Sequence, residues 1–138
     1  MIASKLGSAL TRPDGSILSL GEWMGFPFQK GYHEREAQYL AYEKEVLADI
    51  FEAMTPPPDN RQTKIVIDTT GSVIYTGKKC LEQLRRLTTV VYLEIPFDIK
   101  AQMLQAYQTA PRPVLWQGQF NRQPHQKNIE ALSRCYPD

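Results

Sequence analysis

The stretch KIVIDTTGSVIYTG, Lys64 to Gly77, constrains the fold of this chain more than any other segment. An apolar, β-branched run ends on an acid, Asp68, and passes directly into a small polar turn. That pattern predicts a buried strand at Ile65 to Ile67 whose carboxyl end carries a ligand site, because the turn leaving a buried strand exposes backbone N–H groups that the rest of a sheet hides.

The segments on either side extend this expectation. Downstream, KKCLEQLRRL predicts a helix over Lys78 to Leu87 with Cys80, Leu84 and Leu87 inward; TVVYLEI, Thr89 to Ile95, is a second β-branched run, stopped by Pro96. Phe97 to Tyr107 is then helical, with Ile99, Met103 and Tyr107 on one face. Strand, helix and strand with short connections predict a right-handed βαβ unit, the two strands running the same way in a parallel sheet. Upstream, Leu40, Leu47, Ile50 and Met54 recur at helical spacing, with Val46 and Phe51 widening the stripe, and predict a helix from about Glu34 to Met54. Glu43 falls on that stripe. Pro56 to Pro58 end it in a loop, Thr55 to Asn60. Leu18 to Phe28 reads as a short helix and an aromatic loop, Pro13 to Gly15 as a turn, and the opening residues as a helix stopped by Gly7. Ala110 to Pro124, with three prolines, reads as a mobile excursion, and Asn128 to Cys135 as a closing helix.

Composition excludes several function classes. With 16 basic against 15 acidic residues, no charge excess recommends nucleic acid or an anionic membrane, so any anion site is local. Neither a transmembrane run nor a signal-peptide core is present. The expected location is cytoplasmic; the basic, acid-free opening leaves an organelle as the alternative. Cys80 and Cys135 lack ligand spacing and read as reduced packing thiols rather than metal ligands. His33 and His125 read as surface histidines. Trp23, Phe26 and Phe28 either line a pocket or pack beneath a loop.

Several segments together resemble shikimate kinase and its relatives among the small-molecule P-loop kinases. VIDTTGSVIYTG sits where that family has a strand running into a three-glycine turn, and LTTVVYLEIP is similar to its next strand. Arg112-Pro113-Val114-Leu115 resembles the family's RPLL at the base of a flexible lid. YLAYEKEVL, Tyr39 to Leu47, resembles the helix carrying F-R-x-x-E, and IASKLG, Ile2 to Gly7, the helix that follows the phosphate-binding loop. The resemblance implies a single α/β domain over residues 1–138, truncated at both ends: an incomplete P-loop kinase-like parallel sheet flanked by helices, with a lid-like loop at 110–127. It implies ATP and Mg²⁺ for a complete version and a small-molecule substrate. Exposed strand edges would favour self-association.

The departures shape the expected function. G-x-x-x-x-G-K-[ST], whose backbone N–H groups, Lys and Ser/Thr hold phosphates and Mg²⁺, occurs nowhere among these residues. The family's paired aspartates have one counterpart, Asp14; its substrate-gripping arginine is replaced by Leu40; its three glycines become Thr70, Gly71 and Ser72. The resemblance thus implies substrate contacts from Glu43, Thr70, Gly71, Ser72 and Asp14, metal support from Asp68, and phosphate contact from Arg112. Read from the residues alone, Asp68 is either a metal-supporting acid or a turn cap, and Thr70 and Ser72 are ligand donors or turn formers. Arg112 is a phosphate clamp or an exposed loop arginine, and Glu43 a general acid/base or an orienting carboxylate. The expected function is a fragment or degenerate relative of such a phosphotransferase, inactive as given; the alternative is a non-catalytic ligand-binding or interaction domain on the same scaffold.

Overall fold

Local signals place the helices. The computed structural model describes residues 1–54 and 66–136, apart from the side chains of Phe97 and Asp98. Helix α1 (Ile2–Leu6) leads into a 3₁₀ turn at Gly7–Leu10, followed by α2 (Leu20–Met24), α3 (Tyr32–Met54), a second 3₁₀ turn at Gly71–Tyr75, α4 (Lys78–Leu87), α5 (Phe97–Thr109) and α6 (Asn128–Cys135). Gly7 stops α1 as expected, at φ +50°, where a side chain would be strained. At α2 the Glu22 amide donates to Ser19 Oγ at 3.2 Å and the Ser19 amide to Glu22 Oε2 at 2.8 Å. That reciprocal capping box satisfies two donors that a helix start leaves open. Arg12 Nη2 adds an ion pair to Glu22 Oε1 at 2.7 Å.

The chain divides into two compact units, Met1–Lys5 with Ala37–Tyr92, and Leu6–Glu36 with Leu93–Asp138. In the first, Leu47 and Phe51 of α3 and Leu84 of α4 form a buried core, with Val73 and Leu87 packed on it. Lys5 Nζ reaches Asp49 at 3.3 Å and Glu45 at 3.4 Å, and these carboxylates raise its pKa. In the second unit the core is aromatic. Phe26 stacks on Phe28 with centroids 5.3 Å apart and meets Tyr107 edge-on at 5.2 Å, while Trp116 meets Phe120 edge-on at 5.6 Å. Phe26 and Phe28 thus pack with other rings, and Met24, Leu115, Ala131 and Leu132 are buried in the same unit. Burial pushes the Tyr107 phenol up to about 12, against the relief of the indole N–H that Trp116 donates to it.

The expected parallel α/β sheet does not form: among the described residues there is no strand, only an isolated antiparallel bridge between Thr11 and Ile17 across the Pro13–Gly15 turn. Ile65 and the loop Thr55 to Asn60 lie outside the described residues. Val66 is 96% exposed and Tyr92 84% exposed, and Val90, Val91, Leu93 and Ile95 also face solvent. The reason is that β-propensity measures fit to a pleated, half-buried surface, and a strand without neighbours to pair its N–H and C=O groups is not stable. Both apolar runs are therefore irregular, no βαβ unit arises, and no strand edge is available among these residues for self-association. The helices, by contrast, lie where expected, with α3 starting at Tyr32 and α5 reaching Thr109. No described helix is long and apolar enough to cross a membrane.

Two outcomes follow from these placements. Val91→Lys should change stability by less than about 0.5 kcal/mol in urea unfolding, as exposed positions do; a loss several times larger would mean that the run is buried. Glu22 is held below the ordinary carboxylate range, first by the Ser19 hydrogen bonds and then by Arg12. A lowered folded-state pKa contributes stability that is complete above the unfolded value, about 4.3, and is lost as pH falls through the folded value. The difference in Tm between the native chain and Glu22→Gln should therefore be present at neutral pH and close below about pH 4; a gap that persists at pH 2 would contradict this.

Candidate functional site

The stripe that makes α3 amphipathic also carries an acid inward. Glu43 is 6% exposed, and its Oε1 accepts hydrogen bonds from Thr70 Oγ1 at 2.5 Å and Ser72 Oγ at 2.7 Å. The two hydroxyls are themselves 2.5 Å apart. Thr70 is the residue before the Gly71–Tyr75 turn, in extended backbone at φ −70°, ψ 161°, and this turn carries Ser72 back toward the helix. Oε1 and the two hydroxyls form three close oxygen pairs, and the Tyr39 phenol, which interacts with both hydroxyls, brings a third proton to the cluster. Glu43 Oε2 is buried and has no donor among the described residues. Tyr39 is buried beside them; burial raises its phenol, the Thr70 hydroxyl opposes the shift and the charge of Glu43 adds to it.

Three of the residues singled out in the sequence, Glu43, Thr70 and Ser72, therefore meet in the first unit. Gly71, between the two hydroxyl residues, is exposed, and a Cβ there would touch nothing within 4 Å. Asp68 is exposed in the irregular segment just before the turn. The remaining two belong to the second unit. Asp14 Oδ1 accepts from the Ser16 amide at 2.9 Å and the Ser16 hydroxyl at 2.7 Å, closing the turn that bridges Thr11 to Ile17. Those bonds, the hydroxyl's first, lower the Asp14 pKa. Arg112 is exposed, and its charge is felt at Tyr136, whose phenol burial raises.

The sequence reading missed a second inward acid. Glu36, 5% exposed, receives on Oε1 the Tyr32 hydroxyl at 2.9 Å, the Trp116 amide at 2.5 Å and the Gln117 amide at 2.9 Å. The single Tyr32 hydroxyl proton is shared between Glu36 and the Val114 carbonyl, 2.7 Å away, and burial followed by the Glu36 charge raises the Tyr32 pKa strongly. The available signal was periodicity: Glu36 stands two helical turns before Glu43 on the stripe that flagged the latter. A surface cavity of about 370 Å³, lined by residues that include Phe51, Lys79 and Cys80, contains none of these groups.

Among the described residues, no three His, Cys, Asp or Glu side chains group to hold a metal ion. Asp68 alone could serve Mg²⁺ only where phosphates supply most of the other ligands. The hydroxyls beside Gly71 are committed to Glu43 rather than free to receive phosphate. The described residues do not form a nucleotide-metal site.

The class of the protein comes from comparison with known proteins rather than from this geometry. The family model for shikimate kinase matches residues 29–136 of this chain, a span that includes Glu36, Glu43, the Thr70–Ser72 turn and Arg112. The chain belongs to the shikimate kinase family. No curated protein and no solved structure matches it.

Because hydrogen bonds to a charged group contribute about 1.5 to 3 kcal/mol, Ser72→Ala should destabilise the chain within that range by removing one of two donors to a buried carboxylate. Denaturant titration at neutral pH measures it. A change under about 0.5 kcal/mol, the range of an ordinary surface substitution, would show that Glu43 does not depend on Ser72.

Proposed function

We propose that the chain carries the acceptor side of a shikimate-kinase-like phosphotransferase, with a small-molecule hydroxyl held at Glu43, Thr70 and Ser72. The observation that carries this is Glu43 Oε2, a buried acceptor with no donor among the described residues, beside two hydroxyls that can both give and receive a hydrogen bond. A ligand hydroxyl approaching past the exposed Thr70 would supply the missing donor, and Glu43 would orient it. Exposed Gly71 leaves room for that approach. By the family resemblance alone, Asp14 is a further candidate substrate contact and Arg112 a candidate phosphate contact, a planar cation being suited to stabilise developing charge. In a complete version Asp68 would be the residue to support Mg²⁺, and bound ATP would be the phosphoryl source, as the family implies.

The chain as given is proposed to be inactive, a fragment or a degenerate relative, because G-x-x-x-x-G-K-[ST] is absent from its residues. That same absence favours the second reading, a ligand-binding domain that keeps the scaffold without catalysis. Calorimetry separates the possibilities. The expected result is weak binding of shikimate that Glu43→Ala abolishes, together with no tight, Mg²⁺-dependent site for ATP. Shikimate binding that survives Glu43→Ala would refute the acceptor site; a micromolar ATP site would refute inactivity.

A further inference from the structure

The backbone around Arg112 is gripped from two sides within its own unit. On one side, Gly21 of α2 lies against it so closely that a Cβ at position 21 would overlap the Pro111 carbonyl and approach the Cα of Arg112 at 2.7 Å. These are backbone atoms, which cannot swing aside as a flexible side chain would. On the other, the first turn of α3 takes hold of the residues that follow: Tyr32 donates to the Val114 carbonyl, and Glu36 Oε1 accepts the consecutive amides of Trp116 and Gln117. Two successive N–H groups converging on one anion form a nest, and Gln117 adopts φ +47° to complete it, a conformation a non-glycine residue enters only when its surroundings hold it there. The Trp116 ring between them is 1% exposed and is fixed by its indole N–H on the Tyr107 hydroxyl at 3.3 Å.

We propose that Glu36 is a positioning residue that, opposite Gly21, locks the backbone of the Arg112 segment and so aims the Arg112 guanidinium at an anionic phosphate group. The aim rests on the role assigned to Arg112 above; the lock stands on the geometry alone. Glu36 binds the backbone of residues 116 and 117 and Tyr32 that of Val114, so Glu36 acts on Arg112 through residues 114–117. The segment that carries Arg112 is therefore a fixed platform from Pro111 to Gln117.

Hydrogen exchange of the Trp116 and Gln117 amides in the full chain tests the lock. Both should be protected in the native sequence. Glu36→Ala should accelerate them at least tenfold while α4 amides stay unchanged, and Glu36→Gln, which keeps an acceptor oxygen, should restore most of the protection. Free exchange in the native chain, or no acceleration in Glu36→Ala, would overturn the proposal. Titration with inorganic triphosphate tests the aim. Arg112→Gln and Glu36→Ala should each weaken binding about tenfold, and the double variant no further than either, because both act through one contact. Losses that multiply would show that Glu36 does not work through Arg112. A native chain that binds no triphosphate removes the phosphate role of Arg112 and the aim with it; the lock is still decided by exchange.

Discussion

A carboxylate taken out of water has to be met by donors, and in this chain that requirement decides where two loops go. Glu36 and Glu43 both point inward from α3, and in each unit the buried acid gathers a segment far away in sequence. Glu43 brings in the Thr70–Ser72 turn through two hydroxyls, and Glu36 brings in residues 114–117 through amides and a tyrosine. Both acids could be replaced by apolar residues without loss of helix propensity, so their retention on a stripe that otherwise buries Tyr39, Val46, Leu47 and Phe51 sets loop position rather than helix formation. A one-residue slip of either loop would leave a buried charge unmet, at a cost exceeding that of most core substitutions.

The two clusters differ in how completely the acid is met, and that difference separates a structural acid from a candidate ligand site. At Glu36, one oxygen takes three close donors, two of them backbone amides, of which that of Trp116 also lies 3.2 Å from the Tyr32 hydroxyl. At Glu43, the donors are hydroxyls, which rotate and can accept as well as donate, and one oxygen is without a partner among the described residues. Membership of the shikimate kinase family covers both clusters but does not distinguish them. The Glu43 oxygen without a donor among the described residues does, because a site able to receive a hydroxyl must have unused acceptor capacity.

What could be read from the sequence followed the range of the physics. The helices were legible because their causes lie within a few residues: the Ser19–Glu22 box, the stop at Gly7, and the stripe over Leu40 to Met54. The site was partly legible for the same reason, since Glu43 interrupts an apolar stripe and Thr70 and Ser72 crowd one turn. The sheet was misread because Val66–Ile67 and Thr89–Ile95 report only a willingness to pair; pairing needs a neighbouring strand, and no local pattern supplies one. Glu36 was passed over because the amides it binds are 80 and 81 residues away and carry no side-chain signature.

Gln117 shows which effect wins when a loop is drawn onto an acid. Holding a non-glycine residue in the left-handed region costs roughly 1 to 2 kcal/mol, and the chain accepts this at φ +47° although glycine stands next, at position 118. Two amides donating to a charged oxygen contribute about 1.5 to 3 kcal/mol each, and leaving them unmet beside a buried carboxylate would be costlier still. The balance favours the strained turn by more than its strain. The same comparison explains why Ala110 to Pro124, read from its prolines as a mobile excursion, carries the buried Leu115 and Trp116. Proline removes donors and so favours loops, but it says nothing of what the remaining amides will bind, and here they bind an acid that the helix has already carried out of water.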